Sequence, residues 1–287
     1  MIYRVRHVTR YDYQTPVDLG AHLAHVRPRS LPHQRVLRAS VQAAPAVSWR
    51  RDGSDHFGNE VTWLFLDAAH AAFQVIADSV VDVGFPEPPD AAETSAWEDV
   101  ARLAWAAGPA AEFLFDSPYA PADPDARAYA APSFVAGRAV FEALLDLIAR
   151  MRRDFTFRAG VTTTRTPVAE VLRRRQGVCQ DFTHLMISAL RAIGLPARYV
   201  SGYIRTRPTR ARLGADQSHA WVGCWLGPEH GWVDLDPTNG IVVRDEHVVL
   251  GWGRDFGDVT PLRGVILGGG EQSLSVAVTL EDAATET

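Results

Sequence analysis

Lysine is absent: all 29 basic residues of the 287-residue chain are arginine. The base composition of a GC-rich coding sequence accounts for this, but the consequence is chemical whatever its origin. No side chain carries a primary amine, so the protein has no lysine to offer as an acyl acceptor. Cysteine is nearly absent too, with only Cys179 and Cys224. Two widely spaced thiols do not make the disulfide framework of a small secreted domain, and are read as free thiols. No Cys-x-x-Cys, His-Glu-x-x-His or His-x-x-x-His spacing occurs, so no metal or other cofactor is expected. No run of about 18 apolar residues is present, which excludes a transmembrane helix. The first residues, Met1-Ile2-Tyr3-Arg4-Val5-Arg6-His7, lack the apolar segment of a signal peptide, and a cytoplasmic location without a membrane partner is the default expectation. Excess positive charge is also missing. The formal net charge is -5, which argues against nucleic acid, whose binding requires clustered cations.

What the chain does have is an ordinary globular composition, 47% hydrophobic and 22% charged. Its length suits one large or two small domains. Residues 1–83 alternate in the β manner. Tyr3 to Tyr11, Val36 to Val41, Val61 to Leu66 and Phe73 to Val81 are β-branched or aromatic runs, separated by turn signals such as Arg51-Asp52-Gly53 and Phe57-Gly58-Asn59. This predicts a β-rich N-terminal domain. Residues 84–135, rich in Pro, Ala and Asp, read as a connecting region over the surface, with a short helix near Glu98–Ala107. Residues 136–287 read as a mixed core. Helical periodicity covers Ala136–Arg152, another helix starts near Pro167, and a third runs from Cys179 to Ile193, stopped by Gly194 and Pro196. Strands are expected at Ala197–Ile204, His219–Leu226 and Gly231–Asp236. A last strand, Ser273–Leu280, follows the Gly268-Gly269-Gly270 turn and is assigned to this second half.

Three residues at the ends of these elements point to chemistry. Cys179 falls in the first turn of its helix, where unpaired N–H groups and the helix dipole favour a thiolate and can hold an oxyanion. Gly177 lets the backbone turn sharply before it. Asp181, in the same turn, opposes thiolate formation unless it caps the helix or pairs with Arg173, Arg174 or Arg175. His219 opens a strand whose other face, Ala220, Val222, Cys224 and Leu226, looks like core, so Cys224 reads as packing. Asp236 closes the next strand, immediately before Pro237. A carboxylate there accepts the imidazole Nδ1–H and turns the other nitrogen towards the sulfur. Asp234 shares that strand face and is the competitor. Asn239 is a lesser candidate for orienting the ring. Cysteine at a helix start, histidine on one strand and aspartate at the end of the next form a stronger signal together than any of them alone.

The blocks Gly177-Val178-Cys179-Gln180-Asp181-Phe182, Gly194-Leu195-Pro196-Ala197-Arg198-Tyr199, Ser218-His219-Ala220-Trp221-Val222 and Gly231-Trp232 to Asp236-Pro237-Thr238 resemble the transglutaminase-like core. His7-Val8-Thr9-Arg10-Tyr11 and Asp55-His56-Phe57-Gly58-Asn59 resemble the N-terminal domain of bacterial transglutaminase-like proteins. The resemblance implies an α+β fold with a papain-like core, a Cys-bearing helix packed on an antiparallel sheet. It also implies a catalytic triad of Cys179, His219 and Asp236. The implied activity is acyl chemistry through a Cys179 thioester on a peptide, protein or glutamine-type amide, ending in hydrolysis or transamidation. The family's oxyanion-stabilising Trp has no counterpart between Trp105 and Cys179, and no calcium site of the animal kind is evident. Two other readings compete: a non-catalytic interaction module on the same fold, and a metal-dependent hydrolase using His184, His219 and His230. No chemistry is read in the N-terminal domain, whose sheet is either structural or one wall of a substrate cleft.

Overall fold

The computed structural model describes residues 1–205 and 218–283. The first sheet is organised by one long strand, β1 (Ile2–Ala24), whose residues alternate between buried and exposed faces. Around it lie β2 (Gln34–Ala44), β3 (Trp49–Ser54), β4 (Glu60–Leu66) and β5 (His70–Val83), in the order β2-β5-β1-β4-β3. The pairing of β1 with β5 shifts register between Asp12 and Val17. Pro16, which has no N–H to give to a ladder, lies in that interval. The N-terminal half of β1 therefore pairs with β5, and the C-terminal half with β4.

Helices follow: α1 (Trp97–Ala104), α2 (Pro124–Ala130), α3 (Val140–Asp154), α4 (Val168–Arg174) and α5 (Cys179–Arg191). Two short strands, β6 (Thr156–Phe157) and β7 (Gln176–Gly177), pair in parallel just before α5. The second sheet is antiparallel. It contains β8 (Ala197–Ile204), β9 (His219–Trp225), β10 (Trp232–Asp236), β11 (Ile241–Val242) and β12 (His247–Gly253), in the order β11-β10-β9-β8-β12. Its Ala220, Val222 and Cys224 side packs on Phe182, Leu185, Met186 and Ala189 of α5 in the main core. The result is the expected α+β arrangement, a Cys-bearing helix on an antiparallel sheet behind a β-rich N-terminal region.

Two features depart from the sequence reading. The strands after residue 260, β13 (Leu262–Gly268) and β14 (Gln272–Asp282), hydrogen-bond to β1 and complete the first sheet, instead of joining the second-half sheet. Alternation shows that a segment is a strand but not which strand it pairs with, and here the partner lies at the opposite end of the chain. Residues 84–135 do more than cover a surface. Val100, Ala104, Ala110, Leu114, Ala126 and Ala130 are buried in the main core. The alanines that make this stretch look bland allow its short helices to approach α5 closely.

The N-terminus of α5 is placed by anchors further along the helix. Arg191, buried in its last turn, donates to the carbonyls of Phe113 (3.1 Å), Ala120 (2.7 Å) and Arg254 (2.6 Å). One guanidinium thus ties the helix to the connecting region and to the segment after β12.

Candidate active site

Chain reversal delivers Cys179 to the start of α5. Arg175, which ends α4, takes a left-handed conformation at φ 56°. Its guanidinium lies 4.8 Å over the rings of both Tyr129 and Phe155, an arrangement that fixes the turn. β7 follows, then Val178 in extended conformation, then Cys179, a free and half-buried thiol. Asp181 pairs with none of Arg173, Arg174 and Arg175. Its Oδ2 accepts from Val178 N and from Thr162 Oγ1, each at 2.7 Å. It therefore closes the first turn as the acidic arm of a cap. Burial raises its pKa, and those two hydrogen bonds oppose the rise. Gly177 is required for space and not for a special φ, because a Cβ there would come within 2.7 Å of Asp181 Oδ2.

The sheet supplies the other two residues. His219 is the first residue of β9, opposite Gly202 of β8. Asp236 is the last of β10, one step beyond the Leu235–Val222 pair. Continuing that register sets Asp236 opposite Trp221 and diagonal to His219, within reach of a long side chain. His219 Nε2 donates to Asp236 Oδ2 at 2.8 Å, with both side chains wholly buried. The nitrogen roles are the reverse of the sequence expectation. Nε2, not Nδ1, meets the carboxylate. Nδ1 is buried with no hydrogen-bond partner, so it is the nitrogen left for Cys179, which lies near enough to act on the ring electrostatically. A ring that opens a strand presents its two nitrogens according to χ1 and χ2, which spacing along the chain does not encode.

Electrostatics follow from this geometry. Burial alone would lower the pKa of His219. Asp236, with a further contribution from Cys179, overrides it and pushes the value up to about 10. Burial would likewise raise Asp236, but the charge and hydrogen bond of His219, together with His247, hold it well below the usual carboxylate range. Asp236 is held by more than the ring. Its Oδ1 accepts from the backbone N–H groups of Thr238 (2.9 Å) and Asn239 (3.1 Å), and its Oδ2 accepts from Asn239 Nδ2 at 2.7 Å. Asn239 thus orients the carboxylate, not the histidine.

Asp234, the competitor, is engaged elsewhere: its Oδ2 accepts from Trp221 Nε1 at 2.9 Å. The Trp221 indole lies against β8, where a Cβ on Gly202 would come within 2.3 Å of it. Cys224 is buried in the main core, and burial raises its thiol pKa well above the ordinary value. The histidines of the metal reading do not converge. His184 stacks on Tyr119 and accepts from Phe256 N at 3.2 Å, and burial lowers its pKa to about 4. His230 lies beyond β9, next to β10.

The residue that sequence reasoning missed is His247. It opens β12, is 1% exposed, and places Nε2 3.6 Å from Asp236 Oδ2. Its ring lies edge-on to Trp221. Like His219 it opens a strand, which was the available signal, but Asp245-Glu246-His247 carries no recognisable block. Ligand atoms of His219, Asp236 and His247 lie within 4.8 Å of one another. The His219 and Asp236 atoms are already hydrogen-bonded to each other.

Comparison with known proteins agrees with this picture. A model described as the transglutaminase-like superfamily matches residues 127–237, and one described as the bacterial transglutaminase-like N-terminal region matches residues 3–82. An uncharacterized protein of Mycobacterium tuberculosis is 38% identical over 281 residues, covering 95% of this chain and 90% of that protein. A protein-glutamine gamma-glutamyltransferase of Pseudomonas aeruginosa is 43% identical over 68 residues, 22% of this chain and 10% of that one. The crystal structure of a candidate cysteine protease from Cytophaga hutchinsonii superposes with a TM-score of 0.77 at 22% identity, covering 100% of this chain and 92% of that one. The likeness shows a shared papain-like fold.

Proposed function

This chain belongs to the bacterial transglutaminase-like family, and from that membership we propose that it is a cysteine-dependent acyl-transfer enzyme with Cys179, His219 and Asp236 as its catalytic triad. The observation that carries the reading is the wholly buried His219–Asp236 pair at 2.8 Å, whose second imidazole nitrogen is left to Cys179.

The Cys179 thiolate attacks the carbonyl carbon of a peptide or glutamine-type amide. The developing oxyanion is met by N–H groups of the first turn of α5, which have no partners within the helix. The C–N bond breaks as imidazolium His219 gives its Nδ1 proton to the departing nitrogen. This leaves a thioester on Cys179 and a neutral ring. Water or an amine then attacks the thioester, His219 takes up its proton, and the thiolate is regenerated. Asp236 keeps the Nε2–H pointing at itself throughout, which fixes the ring orientation and stabilises its cationic form.

The P. aeruginosa relative is named for transfer of the γ-glutamyl group of a protein glutamine, which supports the glutamine-type amide as one acyl donor. Because this chain has no lysine, any amine acceptor must come from another molecule or from an N-terminus. The test is acylation with p-nitrophenyl acetate, followed by intact mass and peptide mapping. We expect a burst of about one equivalent of p-nitrophenol with the acetyl group on Cys179. Acetylation spread over other residues, with no burst, would overturn the proposal. A library of peptide and glutamine amides then separates the outcomes: ammonia release marks glutamine, and a new amino terminus marks peptide cleavage.

A further inference from the structure

Behind the five-stranded sheet, on the face away from α5, a cavity of about 650 Å³ lies between that sheet, the N-terminal sheet and the start of the connecting region. Its walls include Phe85, Phe113, Trp232 and Trp252, with His33 and His230 among them. A volume of this size suits a small organic ligand or a few residues of peptide.

Arg198 projects into it. The guanidinium is sandwiched between the indoles of Trp232 (4.3 Å) and Trp252 (3.8 Å), and the side chain is only 10% exposed. Nε is sealed against Gly223, where a Cβ would approach within 2.6 Å. Asp234 balances the charge from 3.7 Å, too far for a hydrogen bond, and its other oxygen is taken by Trp221. Nε has no hydrogen-bond partner, and neither do Nε2 of His33 and His230 in the same cavity. The terminal nitrogens of Arg198 have no hydrogen bond to any described residue, Asp234 Oδ1 standing off at 3.7 Å. Burial lowers the guanidinium pKa to about 10, against the pull of Asp234, so it remains a cation at neutral pH. A buried cationic fork with vacant donors is costly unless something accepts from it, and a planar carboxylate matches its geometry best.

We propose that this cavity is a second ligand site, for a carboxylate carried on an aromatic or large apolar body, with Arg198 binding the carboxylate and the indoles and phenyl rings enclosing the rest. Arg198 stands opposite Gly223, four residues along β9 from His219 on the same face of the sheet, a separation of about 13 Å, and none of Cys179, His219 and Asp236 is in the cavity wall. The site is thus distinct from the nucleophile's. One strand connects the two, since Asp234 beside Arg198 and Asp236 beside His219 are both on β10. Such a ligand has two sources, the free C-terminus of a peptide ending in a large apolar residue or a small organic acid.

Calorimetric titration of full-length Cys179→Ala protein tests this without depending on acyl chemistry. The probes are N-acetylphenylalanine, its amide and 3-phenylpropionate. We expect the acid to bind at least about tenfold more tightly than the amide, the effect of one charge-assisted pair. Arg198→Gln should bring the acid to the level of the amide. N-acetylphenylalanine well ahead of 3-phenylpropionate identifies a peptide terminus, and equal binding identifies a small acid. Equal binding of acid and amide overturns the proposal, as does undiminished acid binding in a folded Arg198→Gln protein. Should that variant not fold, the acid-to-amide ratio on the parent decides alone.

Discussion

Two histidines, one in each sheet, are equally buried at 1% exposure and behave in opposite ways. His7, on β1, is held by neutral groups: Nδ1 meets Tyr203 Oη at 2.8 Å and Nε2 meets Thr9 Oγ1 at 2.9 Å. Burial lowers its pKa from 6.5 to about 4. His219 suffers the same desolvation, yet rises to about 10 because a carboxylate lies against it. Burial alone makes a histidine a neutral packing element that accepts or donates one hydrogen bond at each nitrogen. Burial together with an anion makes it a stored cation, and a stored cation beside a thiol is what acyl chemistry at cysteine requires. Burial does not separate the two; the neighbouring anion does.

The comparison is broken most severely by removing what the cation serves. Cys179→Ala should lower the ester burst by about 10³-fold or more, since no other group takes over the role of a lost nucleophile. His219 should stay folded in place. Giving His219 the neutral surroundings of His7 comes next. In Asp236→Asn the ring loses its anion, and its pKa should drop below 6.5, read from the imidazole resonances by NMR. The burst and the rate of iodoacetamide labelling at neutral pH should fall by about 10²- to 10⁴-fold. Unchanged labelling would mean that the carboxylate does not govern the ring, and the contrast with His7 would lose its meaning.

The same shift makes a pH statement with a definite sign. A pKa raised from 6.5 to about 10 means that the folded protein holds a proton the unfolded chain releases. The contribution of His219 to stability is complete below pH 6.5 and disappears as pH rises through about 10. The acid needed to expel the leaving nitrogen disappears over the same range. Amide turnover should therefore decline towards pH 10, whereas the burst from an activated ester, whose leaving group needs no proton, should persist.

Most of the site could be read from the sequence because each residue sits where an element begins or ends. Cys179 after Gly177, His219 after the polar Ser218, and Asp236 before Pro237 are all marked by local breaks in periodicity. The helix from Cys179 and the strands from Ala197, His219 and Trp232 were likewise set by local pattern and stop signals. What could not be read depends on three-dimensional pairing. The attachment of β13 and β14 to β1, the burial of residues 84–135 against α5, the ring nitrogen that meets Asp236, and the approach of His247 are all consequences of contacts distant in sequence. Only the assembled sheets specify them.

His247 offers a finer version of the comparison, because it is a buried histidine near an anion but at 3.6 Å from Asp236 instead of 2.8 Å. His247→Gln keeps a polar group near Oδ2. His247→Phe removes it and leaves the carboxylate one neighbour short. The burst rate should fall by roughly 3- to 10-fold in the Phe variant and be largely restored in the Gln variant, as for a polar neighbour beside a buried charge. A merely space-filling residue would give the reverse order, since Phe packs better against Trp221. The pKa of His219 should move slightly upward in the Phe variant, because Asp236 would then depend on one ring alone.

The smallest effect belongs to the neutral member of the pair. Tyr203→Phe deprives His7 Nδ1 of its hydroxyl in a wholly buried position. The cost should be about 1–3 kcal/mol of folding stability by urea titration, the penalty for a buried polar atom left without a partner. The ester burst should be unchanged. The pH dependence carries the opposite sign to that of His219. His7 is depressed to about 4, so the unfolded chain takes up its proton first, and stability is lost as pH falls from 6.5 towards 4. Because Tyr203 contributes no charge, the variant should keep that acid limb while shifting the whole stability curve down. If the acid limb vanished instead, the hydroxyl would be setting the protonation state of His7, and burial alone would no longer explain the difference between the two sheets.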